Sequence, residues 1–585
     1  MEKRFSKIVP QPWVEVALLL GFCVVIYFIN LGQWDLWNPD EPRYAQVAKE
    51  MVTRGDWILM HYNGEVYSDK PPLFFWSIVL SSYLWHGFTS FAIRFPAAFF
   101  GTLTVLLTFL LGRILFHSRI GFFSGLILVT SIQFAYLSIR ANIDTTLTFF
   151  ITASLLCFFL WYRNRPPHPS PLPRGERENF GVSPLLLGER EVVRGGFVGH
   201  GNSKNLFIYG FYVAMGFATL AKGPVGFILP LLVCLVYLVL RKDWRGIKEM
   251  RLLPGMLLLL GIVLCWYLPA VWKGGRDYLN ETLLVHSINR YSQGWSKPRP
   301  IYYYLFNFPI IFSPWILFLP SAFVYAYSRE NLEKRGEFLF LTVWFAVIFI
   351  FFSLSKGKRT LYLLPLFPAA SLLVGKLLHD FISSQIDHFR KEWVFLPIYV
   401  LMGVMLVTGA VFPWIVSVKI PSYLNDGLPL AFLLVGGSLA MFVLYRFKNH
   451  RALFLLFIGI VAAGYFYSTR AIFPLVNRSK SARFISQEVT SRIQPGEKLA
   501  VYGRVSTAPY NFYTGIVPIL DLADPESLFQ FLNASERVFC LMTLDEWRQL
   551  QKMEGRPQLH LIARHPVGGK DVVLISNRLN QGRNL

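Results

Sequence analysis

Two neighbouring carboxylates mark the segment of the chain with the most reactive set of side chains. The sequence NPDEPRYA begins at Asn38 between two apolar runs, and it contains Asp40, Glu41, Arg43 and Tyr44. A carboxylate can accept a proton from an attacking hydroxyl group, and an arginine can bind a phosphate. Asn38 could also cap a helix, with Glu41 completing a capping box. The two interpretations are compatible, since a helix start can also present a catalytic carboxylate.

Further charged residues lie beside apolar runs. Asp69 and Lys70 precede two prolines in SDKPP, Asp144 ends RANID, and Lys222 lies in AKGPVG. An exposed Asp69–Lys70 pair would contribute little energy, but the prolines fix the backbone direction after Lys70. A carboxylate at the mouth of a span usually has a partner or a function, and Arg140 could pair with Asp144 one helical turn away. The residue types therefore suit a polar site at a membrane boundary.

The composition describes the elements that must position these residues. The chain has 585 residues, of which 54% are hydrophobic and 16% charged, and its mean hydropathy is +0.43. Long apolar runs recur, so we predict a mostly α, polytopic membrane protein. The formal net charge of +22 is explained by basic cytoplasmic loops and anionic lipids, so no nucleic acid partner is expected. The five cysteines show no spacing typical of a metal site.

About thirteen transmembrane helices are expected, each roughly 20 residues long. The apolar run from Val14 to Leu31 follows a basic N-terminus, so we expect it to be an uncleaved first span that starts in the cytoplasm. The predicted spans begin near Val14, Ala92, Gly121, Asp144, Leu206, Val225, Leu252, Tyr304, Phe338, Thr360, Val394, Leu428 and Ala452.

One apolar run, Pro71 to Gly87, is predicted to lie in the membrane interface or to re-enter it. If this run spanned the membrane, every basic loop after the N-terminus would move to the outer side, against the positive-inside rule. The outer face then receives Lys356, Lys358 and Arg359, followed by Tyr362. A basic cluster on that face violates the rule, which favours a specific anion such as a phosphate.

The expected domains follow from these assignments. Residues 1–471 form the transmembrane domain, with residues 32–91 as a first periplasmic loop that carries interfacial helices. Residues 166–204 are predicted to form a flexible cytoplasmic insert, because an imperfect repeat there is rich in proline, glycine and charged residues. Short strand-like and helix-like segments in residues 479–585 predict a small α/β domain on the periplasmic side.

The outer-face residues together predict a cavity for a phosphate-bearing lipid handled at the outer leaflet. Composition and spacing do not name a reaction. The predicted cavity contains three carboxylates and six cations, namely Asp40, Glu41, Asp144, Arg43, Lys70, Lys222, Lys356, Lys358 and Arg359.

Several motifs resemble the integral-membrane glycosyltransferases that use polyprenyl-phosphate sugars as donors. They are, in order, WDLWNPDEPRYAQVAKEMVTRGDWI, YSDKPPLFFW, AIRFPAAFFG, LAKGPVGFILP, HSINRY, FSPW and KGKRTLYLLPLFP. Within this group the chain is most similar to the bacterial lipid A aminoarabinose transferases and their relatives, next to the protein O-mannosyltransferases. The resemblance covers roughly residues 10–380, with a weaker likeness in the C-terminal region.

The resemblance implies roles for individual residues. It makes Asp40 the catalytic carboxylate and Asp144 a second acidic residue, while Lys70 would hold the donor phosphate. Arg43 and Tyr44 would line the same cavity. His286 and Asp69 match positions that can hold a metal in a relative; two ligands are too few to predict a metal site, and no cofactor is expected. The outer-face residues and the resemblance together give the predicted substrate-binding set, namely Glu41, Arg43, Tyr44, Lys70, Lys222, His286, Lys356, Lys358, Arg359 and Tyr362.

The implied activity is inverting transfer of a sugar, such as 4-amino-4-deoxy-L-arabinose, from undecaprenyl phosphate to lipid A or another envelope acceptor. It would take place on the periplasmic side of a bacterial inner membrane, among membrane lipids. Asp40 would be a general base for a hydroxyl acceptor, or would position an acceptor that is already an ionised phosphate. Protein O-mannosylation or glycan modification is an alternative. A lipid-linked sugar flippase is a less favoured alternative, because it predicts inverted repeats and buried charges at the middle of the membrane.

Overall fold

Long helices make up most of the structure, a computed structural model that describes residues 12–165, 203–282, 298–553 and 558–579. Within these ranges, eight helical stretches are long and apolar enough to cross a membrane, and two bent pairs, with bends of 71° and 113°, would raise that number to ten. The eight are Ser90–Leu115, Ile143–Arg163, Leu252–Asn280, Arg329–Leu354, Thr360–Ile382, Glu392–Lys419, Pro421–Arg446 and His450–Lys480; the bent pairs are Ser118–Thr130 with Ile132–Ser138, and Tyr303–Ile311 with Trp315–Ala326.

The predicted number of about thirteen spans is larger than this, although each predicted span overlaps a helix. The remaining three predictions fall on Pro12–Phe28, Ser203–Lys222 and Val225–Leu240. A helix rises about 1.5 Å per residue, so the first and last of these are somewhat shorter than the roughly 30 Å hydrocarbon core. The count of thirteen therefore stays a prediction, while the helical, multi-span character of the chain is confirmed.

Seven helices lie in the first described range, residues 12–165, which also holds the segment with the reactive side chains. They are α1 (Pro12–Cys23, continued by a π-helical turn Val24–Phe28), α2 (Asp40–Arg54), α3 (Leu73–Leu84), α4 (Ser90–Leu115), α5 (Ser118–Thr130), α6 (Ile132–Ser138) and α7 (Ile143–Arg163). A short antiparallel hairpin, β1 (His61–Tyr62) and β2 (Glu65–Val66), separates α2 from α3. The helices α4 and α5 pack backbone to backbone, because a Cβ atom on Gly112 would lie 2.6 Å from the Cα atom of Gly121.

The apolar run predicted to lie in the interface forms α3, whose 12 residues would reach only about 18 Å. One face of α3 covers α2, since Phe74 and Phe75 place their rings 5.8 and 5.7 Å from the ring of Tyr44. The opposite face leaves Leu80 and Tyr83 exposed. A short helix with one packed face and one exposed apolar face has the form expected of an interfacial helix.

The chain ends in a five-stranded sheet flanked by short helices. The strands are β3 (Lys498–Tyr502), β4 (Leu520–Leu522), β5 (Val538–Thr543), β6 (His560–Val567) and β7 (Lys570–Ser576), in the order β4-β3-β5-β7-β6. The strand β3 is parallel to β4 and β5, and β7 is antiparallel to β5 and β6. The helices are Arg483–Thr490, Ala508–Thr514, Pro525–Leu532 and Leu544–Leu550.

This C-terminal sheet region sits against the first loop and so helps to position α2. The backbone N–H of Leu36 donates to the hydroxyl of Tyr513 at 2.8 Å. The amide of Asn63 donates to the carbonyl oxygen of Ile519 at 2.9 Å and accepts the N–H of that residue at 2.7 Å. Polar contacts thus fix the loop on both sides of the Asp40 helix.

Candidate active site

The carboxylate of Asp40 lies at the first residue of α2. The helix is preceded by Pro39, and no side-chain cap closes its N-terminus. The capping box that Asn38 and Glu41 could have formed is therefore wrong. Glu41 instead accepts the backbone N–H of Trp37 at 3.0 Å. This contact holds the segment that leads into α2, and its donor lies one residue before Asn38.

Glu41 is the centre of a buried ion cluster beneath Asp40. Its carboxylate accepts hydrogen bonds from Nε of Arg94 at 2.7 Å and from the N–H of Ala141 at 3.0 Å, and it forms an ion pair with Nη2 of Arg140 at 3.0 Å. Arg94, which is 0% exposed, also donates to backbone carbonyls of the first loop, including that of Trp34 at 2.8 Å. Burial opposes the charge of Glu41, but the Arg140 and Arg94 guanidiniums outweigh it and lower the pKa of Glu41 to about 2. The structure therefore makes Glu41 a positioning residue and does not present it to the chamber described below.

Asp40 pairs with Arg359, although 319 positions separate them along the chain. The Nη2 atom of Arg359 lies 2.7 Å from Oδ2 of Asp40, with exposed side-chain fractions of 43% and 18%. Burial opposes the charge of Arg359, but the Asp40 carboxylate raises its pKa above the ordinary value. The first loop and the loop before Thr360–Ile382 therefore meet at the same end of the helical bundle.

A second ion pair joins Asp144 and Lys222 beside the first. Asp144 lies in the first turn of α7, whose N-cap Asn142 accepts the Asp144 N–H at 2.7 Å. The Lys222 ammonium donates to Asp144 and sits 4.5 Å from the centre of the Tyr362 ring. The alternative partner, Arg140, points to Glu41 instead. Asp144, Lys222 and Tyr362 thus form one polar wall.

Lys70 and Arg43 complete the cationic side. The ammonium of Lys70 donates to Oδ1 of Asp69 at 2.7 Å and to the Asp69 carbonyl at 3.1 Å, and only 8% of Lys70 is exposed. Burial opposes the charge of Arg43, but Tyr67, Asp40 and further acidic neighbours raise its pKa. Arg43 therefore lies within the electrostatic reach of both Asp40 and Asp69, and Tyr44 is buried beneath it.

The basic cluster in KGKR separates into three environments. Arg359 faces Asp40, whereas the buried Lys358 donates to the backbone carbonyls of Ser355 and of Arg299, the latter at 3.1 Å. Burial lowers the pKa of Lys358. Lys356 is exposed. Lys358 therefore shapes the loop, and Arg359 is the member of the cluster that reaches the site.

Some of these side chains line one amphipathic cavity of about 640 Å³, which we call the chamber. Its polar end holds Asp69, Lys70, Lys222, Arg359 and Tyr362, and Asp40 adjoins it through Arg359. Its apolar part is lined by aromatic and aliphatic side chains, among them Trp266, Tyr267, Phe351, Phe352 and Ile228. A cavity lined by three cations, one carboxylate and many apolar side chains suits a ligand with a phosphate and a long hydrocarbon part.

The metal prediction is left without a test. Across the described ranges, no three His, Cys, Asp or Glu side chains come together as a metal-binding group. His286 lies outside those ranges, so its place relative to Asp69 is not described.

Sequence reasoning missed Arg94, Tyr67 and the aromatic wall formed by Trp266 and Tyr267. Arg94 could have been found, because a lone arginine inside a long apolar helix must have a buried partner. Trp266 and Tyr267 lie within an ordinary apolar run and carry no signal of their own.

Comparisons with known proteins show which proteins the chain resembles. Residues 14–170 match the family model described as dolichyl-phosphate-mannose-protein mannosyltransferase. An uncharacterised Aquifex aeolicus protein is 30% identical over 372 residues, 63% of this chain and 64% of the relative. An undecaprenyl phosphate-alpha-4-amino-4-deoxy-L-arabinose arabinosyl transferase of Pseudomonas fluorescens is 28% identical over 439 residues, 74% of this chain and 71% of the relative. Several other curated relatives of the latter name are matched over only 59–60% of their length.

The fold is also found in a solved structure. The crystal structure of ArnT from Cupriavidus metallidurans bound to undecaprenyl phosphate superposes with a TM-score of 0.76 at 20% identity, covering 98% of this chain and 99% of that one. An archaeal oligosaccharyltransferase, AglB from Archaeoglobus fulgidus, gives a TM-score of 0.52 at 12% identity, over 92% of this chain and 70% of that one. The solved structures show that the fold is shared. The sequence matches to the mannosyltransferase family model and to the arabinosyl transferase confirm the predicted resemblance to integral-membrane glycosyltransferases that use polyprenyl-phosphate sugars.

Proposed function

From this resemblance and the chamber, we propose that the chain is an inverting glycosyltransferase. Its donor would be a sugar, such as 4-amino-4-deoxy-L-arabinose, linked to undecaprenyl phosphate, and its acceptor lipid A or another envelope component. The observation that carries the proposal is the Asp40–Arg359 ion pair at 2.7 Å beside a cavity that also holds Lys70 and Lys222. This arrangement places a carboxylate that could act on the acceptor next to cations that could bind the donor phosphate.

The donor phosphate would occupy the polar end of the chamber. Lys70, Lys222 and Arg359 line that end, and their charges favour a leaving group that gains negative charge as the bond to the sugar breaks. A guanidinium has five N–H donors, so Arg359 can hold Asp40 and a phosphate oxygen at the same time. This shared contact would set the distance between the acceptor carboxylate and the departing phosphate. The polyprenyl chain would lie along the apolar wall.

The chemical step would be a single displacement at the anomeric carbon. An acceptor oxygen forms the new bond on the face opposite the phosphate, the bond from carbon to the phosphate oxygen breaks, and its electron pair leaves with undecaprenyl phosphate. If the acceptor is a hydroxyl group, its proton passes to Asp40. If the acceptor is an ionised phosphate, no proton moves and Asp40 orients the reacting groups. Asp144, held by Lys222, would be the second acidic residue of the site.

Three further features belong to the proposal. The protein would be a multi-pass protein of about thirteen spans in a bacterial inner membrane. The chamber and residues 479–585 would face the periplasm, because the basic loops collect at the other end of the predicted spans. No catalytic metal would be required, since Lys70, Lys222 and Arg359 would supply charged N–H donors to the oxygens of the leaving phosphate. Turnover should then persist in the presence of a metal chelator.

A second candidate is sugar transfer to a protein, as in the mannosyltransferase family that matches residues 14–170. The chamber itself does not separate the two acceptors, because Asp40 could activate a serine or threonine hydroxyl by the same proton transfer. The flippase alternative is disfavoured, since the two ion pairs beside the chamber, Asp40–Arg359 and Asp144–Lys222, lie at the same end of the bundle.

The direct experiment uses the purified chain in lipid vesicles with undecaprenyl-phosphate-linked aminoarabinose and lipid A. Mass spectrometry should detect the sugar covalently attached to lipid A, with release of undecaprenyl phosphate. Attachment to protein or glycan in a membrane extract, and none to lipid A, would select the second candidate. Movement of intact donor across the vesicle membrane without a new glycosidic bond would refute the transferase proposal.

A further inference from the structure

A second polar pocket, of about 530 Å³, lies between the first loop and the C-terminal sheet region. None of the side chains that line it lines the chamber. It is bounded by Gly32–Asp35 after α1, by Thr89–Phe91 at the start of α4, and by the two helices Phe473–Lys480 and Arg483–Thr490. The proposed transfer reaction makes no use of it.

The position of this pocket is fixed by the ends of apolar helices. The loop after α1, the beginning of the α4 span and the end of the span His450–Lys480 all meet there. Gly32 permits the close approach, because a Cβ atom on it would lie 3.1 Å from the Cβ atom of Phe91. Where several spans end together, the membrane boundary must run close by, so the pocket lies at the height of lipid head groups.

The pocket carries excess positive charge. The segment from Arg470 to Arg483 contains Arg470, Arg478, Lys480 and Arg483 and has no acidic residue. Arg478 and Arg483 both line the pocket, and one carboxylate, Asp35, lines it with them. Arg483 reaches Asp35 at only 3.4 Å, longer than a direct charge-assisted hydrogen bond. The pocket lining therefore contains two guanidiniums and one carboxylate.

Neutral hydrogen-bond donors beside the arginines also favour a negatively charged ligand. The side-chain oxygen of Asn477 already accepts Nε1 of Trp37 at 2.8 Å and the N–H of Asp35 at 3.1 Å, which leaves its NH₂ group to donate. The first-turn N–H groups of α4, at Ser90 and Phe91, have no partner inside the helix, and a helix N-terminus favours negative charge. Guanidinium, amide and helix N–H groups around one cavity are the donors that phosphate prefers.

Aromatic side chains complete the pocket. Trp34, Phe91 and Phe484 line it beside the arginines. Arginines at a membrane boundary often reach head groups simply by snorkelling, without any built site. Here a folded loop, a helix start and an oriented amide converge with them, and the aromatic surface suits the glycerol and upper acyl region of a lipid.

We propose that this pocket binds the phosphate head group of an anionic membrane lipid and so ties the C-terminal sheet region to the bilayer. Free phosphate would offer the same donors a similar anion, but it has no apolar part to cover the aromatic lining. The pocket would therefore select a phospholipid such as phosphatidylglycerol over inorganic phosphate.

The test is native mass spectrometry of the full chain released from vesicles of phosphatidylglycerol and phosphatidylcholine. The variant Arg478→Gln removes an exposed guanidinium that lines the pocket. The matched control is Arg451→Gln, which removes the same charge at the opposite end of the same span. We expect the wild type and the control to retain one phosphatidylglycerol molecule, and Arg478→Gln to reduce its retention about tenfold, the change expected for about 1.4 kcal/mol.

Other outcomes are equally informative. Equal retention by Arg478→Gln and the wild type would overturn the proposal, and so would an equal loss in the Arg451→Gln control. Displacement of the bound lipid by millimolar inorganic phosphate would overturn the assignment to a lipid. Thermal unfolding of each variant checks that it is folded, and the variant Arg483→Gln provides a second, independent removal of charge from the pocket.

Discussion

Replacing Glu41 with glutamine should destabilise the protein by about 3 kcal/mol at neutral pH. The side chain is 1% exposed and is held by two guanidiniums, those of Arg94 and Arg140. Burial alone would raise the pKa of Glu41, yet the arginines lower it from 4.5 to about 2, which corresponds to that free energy of unfolding. Removing one partner of a buried ion pair costs a similar roughly 3–5 kcal/mol. For a chain of this length, Tm should fall by about 2–3 °C.

The pH dependence of this loss gives a sharper test. Because the folded-state pKa of Glu41 is depressed, its contribution is fully present above pH of about 4.5 and is lost as the pH falls towards 2. The difference in Tm between the wild type and Glu41→Gln should therefore be constant from neutral pH to mildly acidic pH and should narrow below it. Tryptophan fluorescence during heating in detergent measures both values, with Glu65→Gln, an exposed change in the same loop, as the control. A variant as stable as the wild type at neutral pH, or a difference that does not narrow, would refute the ion cluster.

Three further changes test the chamber and its support. Lys70→Ala should raise the KM for the donor about 10–100-fold, with a smaller effect on kcat, because a hydrogen bond from a charged group is worth about 1.5–3 kcal/mol; an unchanged KM would remove Lys70 from donor binding. Arg359→Ala should lower kcat about 10²–10³-fold, the usual loss for a hydrogen-bond donor aimed at developing charge. Arg359→Lys should restore part of this activity, whereas full activity of the alanine variant would exclude a role for Arg359 in stabilising the leaving phosphate. Tyr513→Phe should cost about 1–3 kcal/mol in an unfolding assay, since the N–H of Leu36 would lose its partner, and no change in stability would show that this contact does not hold the loop.

The meeting of the first loop with the KGKR loop could be predicted from the sequence. Assigning Pro71–Gly87 to the interface placed both loops on one face, and the Asp40–Arg359 pair brings them together. Charge counting over whole loops is robust because it depends on many residues at once. The individual partners could not be found in this way, because a loop assignment does not give the direction of a side chain.

The Asp144 pairing shows why local rules failed. The spacing between Arg140 and Asp144 suits an ion pair only if both residues lie on one helix. The helix α7 begins at Ile143, after the cap at Asn142, so Arg140 lies outside it and turns to Glu41. Lys222, which pairs with Asp144, is distant in sequence and could be identified only from the packing of helices.

The C-terminal region was predictable where strands are long and apolar. The four predicted strand-like segments KLAVYG, RVFCLMT, LHLIARH and DVVLISN overlap β3, β5, β6 and β7, because each contains a short apolar run. The edge strand β4 has three residues, Leu520–Leu522, too few for any alternation to be recognised. Its place in the sheet is set by parallel pairing with β3, a contact that no local pattern encodes.

Single-turnover transfer by Asp40→Asn tests the central claim most directly. Asparagine preserves the size of the side chain but cannot take a proton, and it weakens the contact with Arg359 by removing the charge. With saturating donor and a hydroxyl acceptor, the rate of sugar transfer should fall about 10²–10⁴-fold, the range for a lost general base, while binding of undecaprenyl phosphate changes little. Glu65→Gln should transfer sugar at the wild-type rate. Full transfer by Asp40→Asn would contradict the assignment of this carboxylate to the reaction.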